Sequence, residues 1–335
     1  MDETDYGLAP GESYAPEDRD ERFDLSRAHV MTVLGPVDPG ALGPTLTHEH
    51  LLRRPSGDPT AIDLDIVLDD PYRTLTALEN YAESAGGAIV DMTVAGSGRD
   101  AGGLLWLARR SPVHVIAATG YDRASPSWVK SADRDDEAIA GQWVRELSVG
   151  IGETGVRPGV LWVGMGPDPF GGGEDRMIRA AARAHLATGV PLAIGGDRAT
   201  ESHDPLSILT VAGVPADRVI IGHLDRSGDQ AAALDAMARG AYGAVDQIGQ
   251  GDADDDARRA DLVSALVGAG HGERVLLSHG LGRRSLIPAY GGAPGWSHIA
   301  ERFVLMLMGR GLPAAIVHRL LVTNPQSALT IRRPA

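Results

Sequence analysis

The chain has 335 residues, of which 43% are hydrophobic and 23% charged, a composition expected of a globular protein rather than a fibrous or disordered one. A formal charge of -14 argues against the basic stripe that a phosphate backbone needs, and an anionic membrane would repel it, so neither nucleic acid nor membrane is expected as a partner. The absence of cysteine removes disulfides, thiolate metal ligands and cysteine nucleophiles together, leaving His, Asp, Glu and Ser to carry chemistry.

Residues 1–28 hold nine acids against three arginines with no apolar periodicity, which predicts a flexible acidic N-terminal tail. The start Met-Asp-Glu-Thr-Asp has neither a basic nor an apolar leader pattern, and no apolar stretch approaches the ~18 residues of a membrane span. A cytoplasmic location is the resulting expectation. From Val30 onward, short apolar runs alternate with alanine-rich amphipathic stretches, the rhythm of successive strand–helix units. The predicted strands are Leu46–His50, Ala88–Thr93, His114–Thr119, Val160–Gly164, Pro191–Ile194, Val219–His223, Ala244–Gln247 and Val275–Ser278. Predicted helices include Tyr72–Ala85, Asp175–Thr188, Gln230–Arg239 and Asp256–Ala269. Eight such strands predict one α/β domain over 29–335, a closed (β/α)8 (TIM) barrel. An open doubly wound sheet is the alternative, disfavoured because no glycine-rich phosphate fingerprint follows the first strand.

In such a barrel the chemistry sits where strands end and the following loops begin. In Thr47-His48-Glu49-His50, the period of two in a strand sends both imidazoles to one face and Glu49 to the other, a chelating arrangement. His223 ends the apolar run Val219–Gly222 and is followed by Asp225, so it can complete a set of three imidazoles; hydrogen-bonded core histidines are the competing interpretation for all three. His279, Asp225, Tyr121 and Gln247 also fall at strand ends. The acidic run Asp252–Asp256 is expected to cap the helix that follows it, and Leu281–Trp296 is long enough to form a lid bringing Arg283, Arg284 or Trp296 towards a ligand.

The segments Gly43-Pro-Thr-Leu-Thr-His48-Glu-His50, Ile89-Val-Asp-Met-Thr93, Gly152-Glu-Thr-Gly-Val-Arg-Pro-Gly159, Ile221-Gly-His223 and Thr323-Asn-Pro325 occur in an order that resembles the phosphotriesterase family of the amidohydrolase superfamily. That resemblance implies a (β/α)8 barrel holding two divalent metals bridged by a carboxylated lysine or a glutamate and by hydroxide, acting on phosphoester, lactone or ester centres. It assigns His48 and His50 to the first-strand ligands and His223 to the sixth. The fourth-strand bridge falls at Trp162, the fifth-strand histidine at Gly195, the eighth-strand aspartate at Gly280 and the seventh-strand relay histidine at Gln247. The chain's one lysine, Lys130, follows the third strand, at a position with no ligand role in the family. A one-residue shift to Asp197 or His279 would reverse the side-chain direction.

The expected cofactor content is therefore none, or one divalent zinc or manganese on His48, His50 and His223. Three functions stay open. The first is a repurposed enzyme acting on a small organic substrate by acid–base chemistry of His48, His50, His223, Asp225 and His279, through ester or lactone hydrolysis, elimination, isomerisation or cyclisation. In that site Tyr121, Trp162 and Gln247 would line the pocket. The second is a mononuclear hydrolase, and the third a non-catalytic ligand-binding barrel. The resemblance also carries the expectation of a homodimer.

Overall fold

The computed structural model describes residues 23–55, 62–122, 131, 134–165, 173–195, 204–227 and 230–332; most of the acidic segment 1–28, Lys130 and Asp197 lie outside them. A short antiparallel pair, β1 (Val30–Thr32) and β2 (Gly35–Val37), precedes the main sheet. It docks by the hydrogen bond from Val33 N to Val115 O (2.8 Å), near the N-terminal end of the sheet. Eight strands then follow in parallel: β3 (Thr45–Glu49), β4 (Ala88–Asp91), β5 (His114–Asp122), β6 (Val160–Gly164), β7 (Leu192–Gly195), β8 (Val219–Gly222), β9 (Tyr242–Val245) and β10 (Val275–Leu277). Neighbours in the chain are neighbours in the sheet, so the predicted barrel order holds, with strand limits moved by at most three residues.

Both faces of these strands are covered, which explains their near-continuous apolar runs. Val90, Ile116, Ala118, Val160, Trp162, Ala193, Ile220, Ala244 and Leu276 pack together as one cluster, while their odd-register neighbours Val115, Leu161, Val163, Val245, Val275 and Leu277 pack into others with helical residues. The sheet closes between β10 and β3. Gly280 N donates to His48 O (2.9 Å) and His50 N to Leu281 O (3.2 Å), while His48 N donates to the Ser278 hydroxyl (2.9 Å).

The helices that position the site are α1 (Pro71–Glu83), α2 (Ala101–Ala108), α3 (Asp136–Ser148), α4 (Gly173–Thr188), α5 (Pro205–Val211), α6 (Leu224–Ser227), α7 (Gln230–Ala238) and α8 (Ala253–Leu266). Aspartates 70, 100, 135, 204 and 252 cap five of them through their side chains, a use of acidic residues in which the anion meets the helix dipole. Asp252 and Asp255 form a capping box, as the acidic run predicts. The sequence pattern does not reveal α2, because seven of its eight residues are buried and no polar stripe marks an outer face. Among the described residues no helix is long and apolar enough to cross a membrane.

Candidate active site

A cavity of about 350 Å³ opens at the C-terminal ends of the strands. Of the residues predicted from the sequence, it brings together His48, His50, Trp162, His223 and Gln247, joined by Arg53, Asp122, Arg226, Gln250, Gly280 and Arg283. The imidazole of His48 lies 5.7 Å from that of His50 and 5.1 Å from that of His223, centre to centre.

The group beneath them is Asp246, fully buried at the end of β9. Its Oδ2 accepts from His48 Nδ1 at 2.9 Å, and its Oδ1 from His223 Nδ1 at 2.9 Å and His223 N at 3.0 Å. One carboxylate thus fixes two rings through the same nitrogen and, among the described residues, leaves Nε2 of each without a hydrogen-bond partner. Burial alone would raise the pKa of Asp246, but His223 and His48 outweigh it and hold the carboxyl well below the usual carboxylate range. In return Asp246 overcomes the burial of His223 and raises its pKa above 6.5.

His223 reaches this position by an unusual backbone. By strand alternation it would follow Ile221 outwards, but its φ of 60° turns the side chain inwards. Such a conformation in a non-glycine residue costs of order 1–3 kcal/mol. The two bonds to Asp246 hold it.

His50 is oriented differently. Its Nδ1 lies 2.8 Å from Thr93 Oγ1. With the Thr93 hydroxyl accepting from Nδ1, Nε2 keeps its lone pair; burial pushes the nearby Asp91 carboxyl up to about 6. Asp91 accepts from Leu51 N at 3.1 Å and Thr93 N at 2.7 Å. Burial, followed by Arg53 and the other two histidines, lowers the pKa of His50 well below 6.5. The cavity therefore holds a neutral imidazole beside one biased towards the cation.

Trp162 occupies the position where the family resemblance puts a metal bridge, and its indole packs edge-on against His48 (4.9 Å) and His223 (5.6 Å). A methyl group on Gly195 would overlap Trp162 Cη2, lie 2.6 Å from Cζ2 and meet His223 Cδ2 at 3.0 Å. The indole thus fills the volume a fifth-strand histidine would take, and loss of that side chain makes no extra room. Gly280 has φ 61°, and a methyl group there would meet Asp246 O at 2.8 Å and Gln247 Nε2 at 2.9 Å. Side chains at 195 and 280 are excluded by what surrounds them.

Three predicted residues lie outside the cavity lining. His279 is fully buried on the other side of β10, with Nδ1 donating to Glu49 Oε1 (3.0 Å) and Nε2 accepting from Ile299 N (3.3 Å). Asp225, in the first turn of α6, accepts from the backbone of Asp246 (3.2 Å) and Gln247 (3.0 Å) and pairs with Arg259 (3.0 Å). It acts from behind by positioning the end of β9. Tyr121 points away and donates to Gln142 Oε1 (3.0 Å), while its neighbour Asp122 lines the cavity. In the predicted lid, Arg283 reaches the cavity, Arg284 pairs with Asp69 (2.7 Å) and Trp296 is buried away from it. Sequence reasoning places Asp246 at a strand end beside Gln247, two residues after the inward Ala244, without giving it a role, and misses Arg53.

Comparison with known proteins bears on the fold and the family. The chain is 28% identical, over an alignment of 343 positions with gaps, to an N-acetyltaurine hydrolase from Tetraodon nigroviridis, with 90% of this chain and 98% of that protein covered. A resiniferatoxin-binding protein from Rhodobacter sphaeroides matches in structure with a TM-score of 0.80 at 28% identity, covering 90% of this chain and 94% of that one. A lactonase from Listeria monocytogenes shares the fold with a TM-score of 0.82 at 22% identity, covering 91% and 99%. The family model for the phosphotriesterase family matches residues 28–329, and the chain belongs to that family.

Proposed function

We propose that this protein is a hydrolase of small ester, lactone or amide substrates that works by histidine acid–base chemistry rather than through a pair of metals. The observation that carries this reading is the clamp of His48 and His223 on Asp246, facing a neutral His50 across one cavity. His50 Nε2 takes a proton from water as its oxygen adds to the acyl carbon. His223, held as an imidazolium by Asp246, gives its Nε2 proton to the departing oxygen or nitrogen. Two groups whose environments push their pKa values apart make an acid–base pair, and such transfer contributes about 10²–10⁴-fold to rate. The relatives' action on N-acetyltaurine, an amide, supports an acyl substrate of this size.

The pH profile tests the assignment. His50, facing Arg53, His48 and His223, is lowered, so the acid limb of kcat/KM is expected below pH 6.5. His223, facing Asp246, Asp225 and Arg226, is raised, so the alkaline limb is expected above 6.5. Replacing His223 with Gln should remove the alkaline limb and leave the acid one.

A second reading is favoured by one observation: ligand atoms of His48, His223 and Asp246 lie within 4.8 Å of one another. These residues, with His50, would hold a single divalent ion, which would supply a water of lowered pKa. Metal content measured after reconstitution with zinc or manganese, alongside turnover of N-acetyltaurine and a lactone panel, separates the readings. Turnover surviving chelation supports the first; one equivalent lost in His223→Ala supports the second; two equivalents overturn both. Binding without turnover leaves a non-catalytic receptor. A homodimer and a cytoplasmic location remain attached expectations, for light scattering and cell fractionation to check.

A further inference from the structure

Arg53 differs from the other arginines near the cavity. Arg283 pairs with Asp63 (2.9 Å) and Asp65 (3.3 Å), and Arg284 with Asp69 (2.7 Å). Arg53 has its backbone pinned by hydrogen bonds in both directions with Leu68 (2.9 Å each), and its side chain has one long bond, from Nε to Ser97 O at 3.4 Å. Among the described residues its two terminal nitrogens have no acceptor, and Asp122 offsets its charge only through space. Burial makes that charge harder to hold and lowers its pKa.

The guanidinium also sits beside the proposed base. A methyl group on Gly282 would meet His50 Cδ2 at 2.8 Å and Arg53 Nη1 at 3.4 Å, so both side chains converge on the space that this glycine leaves open. In a chain of net charge -14, the described cavity lining carries three arginines against one aspartate, Asp122. A planar fork with unfilled donors at a cavity wall matches a carboxylate or sulfonate, which accepts two parallel N–H bonds.

We infer that Arg53 is the specificity residue of this site and seats the anionic group of an acyl substrate, beside His50. The chemistry of the inference rests on the hydrolase reading, while the binding does not. Isothermal titration of the full chain with N-acetyltaurine, N-acetyl-β-alanine and the neutral N-ethylacetamide tests it directly. The wild type is expected to bind the two anions about 10- to 100-fold more tightly than the neutral compound, the span of one charge-assisted hydrogen-bonded contact. Arg53→Met should abolish that preference, and Arg53→Lys should restore part of it. In turnover assays Arg53→Met should raise KM for the two anionic substrates far more than for the neutral amide. Anion preference without turnover would sustain this inference and defeat the hydrolase reading. Equal binding of anions by wild type and Arg53→Met, or no preference for anions in the wild type, would overturn it.

Discussion

Replacing Asp246 with Asn should cut kcat by about 10²–10⁴, the largest single effect expected in this protein. The carboxylate accepts three N–H bonds from His48 and His223, and an amide keeps the shape while offering one acceptor atom in place of two. One imidazole must then turn its proton to Nε2 and lose its hold, so the pair no longer presents a defined acid. The stability consequence has a definite sign. Because the native carboxyl is held below the unfolded value of 3.8, its contribution is present above that pH and is lost as pH falls below it. The gap in melting temperature between wild type and Asp246→Asn should therefore begin to narrow only as pH drops below 3.8, and go on narrowing towards the lower native value. A kcat within twofold of wild type would remove Asp246 and the acid role of His223 from the mechanism.

Gly195→Ala should destabilise the fold by about 1–3 kcal/mol, the usual cost of one methyl forced into a packed site. Its methyl overlaps the Trp162 indole, and His223 Cδ2 at 3.0 Å blocks retreat on that side. Trp162→Ala alone should cost about 3–5 kcal/mol, because the ring is 4% exposed and fills the barrel mouth. Combined, the two should cost less than their sum, with a coupling of about 0.5–3 kcal/mol, since each removes the other's clash or void. Strict additivity in urea melts would mean that the tryptophan and the glycine do not share this space.

The alternation of strand residues made most of the barrel legible, and the same rule explains where site residues were misplaced. His48 and His50 share a face as the period of two requires, with Glu49 opposite. His279 follows Leu277 outwards and Tyr121 follows Thr119 outwards, so counting from the inward Leu276 and Ala118 would have kept both from the cavity. His223 breaks the rule through its positive φ, which no alternation pattern encodes. Asp225 reads as a chemical neighbour of His223 but begins a helix, where its carboxylate meets backbone N–H groups instead. Arg53 follows the end of β3, beyond the reach of any periodicity, and only the fold reveals it beside His50.

The closure between β10 and β3 sets an order of assembly. Its bonds join residues about 230 positions apart, whereas every other seam joins strands adjacent in the chain. Loop-closure entropy delays such distant pairings until the intervening units are in place. Glu49 waits there as a buried acceptor for Ser278 Oγ (2.7 Å), His279 N (2.7 Å) and Leu281 N (2.9 Å), all of which arrive with the last strand. His48 and His50 stand on one edge of that seam and Gly280 and Gly282 on the other. During synthesis the cavity is thus completed only when β10 and the residues through Leu286 have emerged, and a growing chain, however many strands it has already paired, has no binding chamber until then.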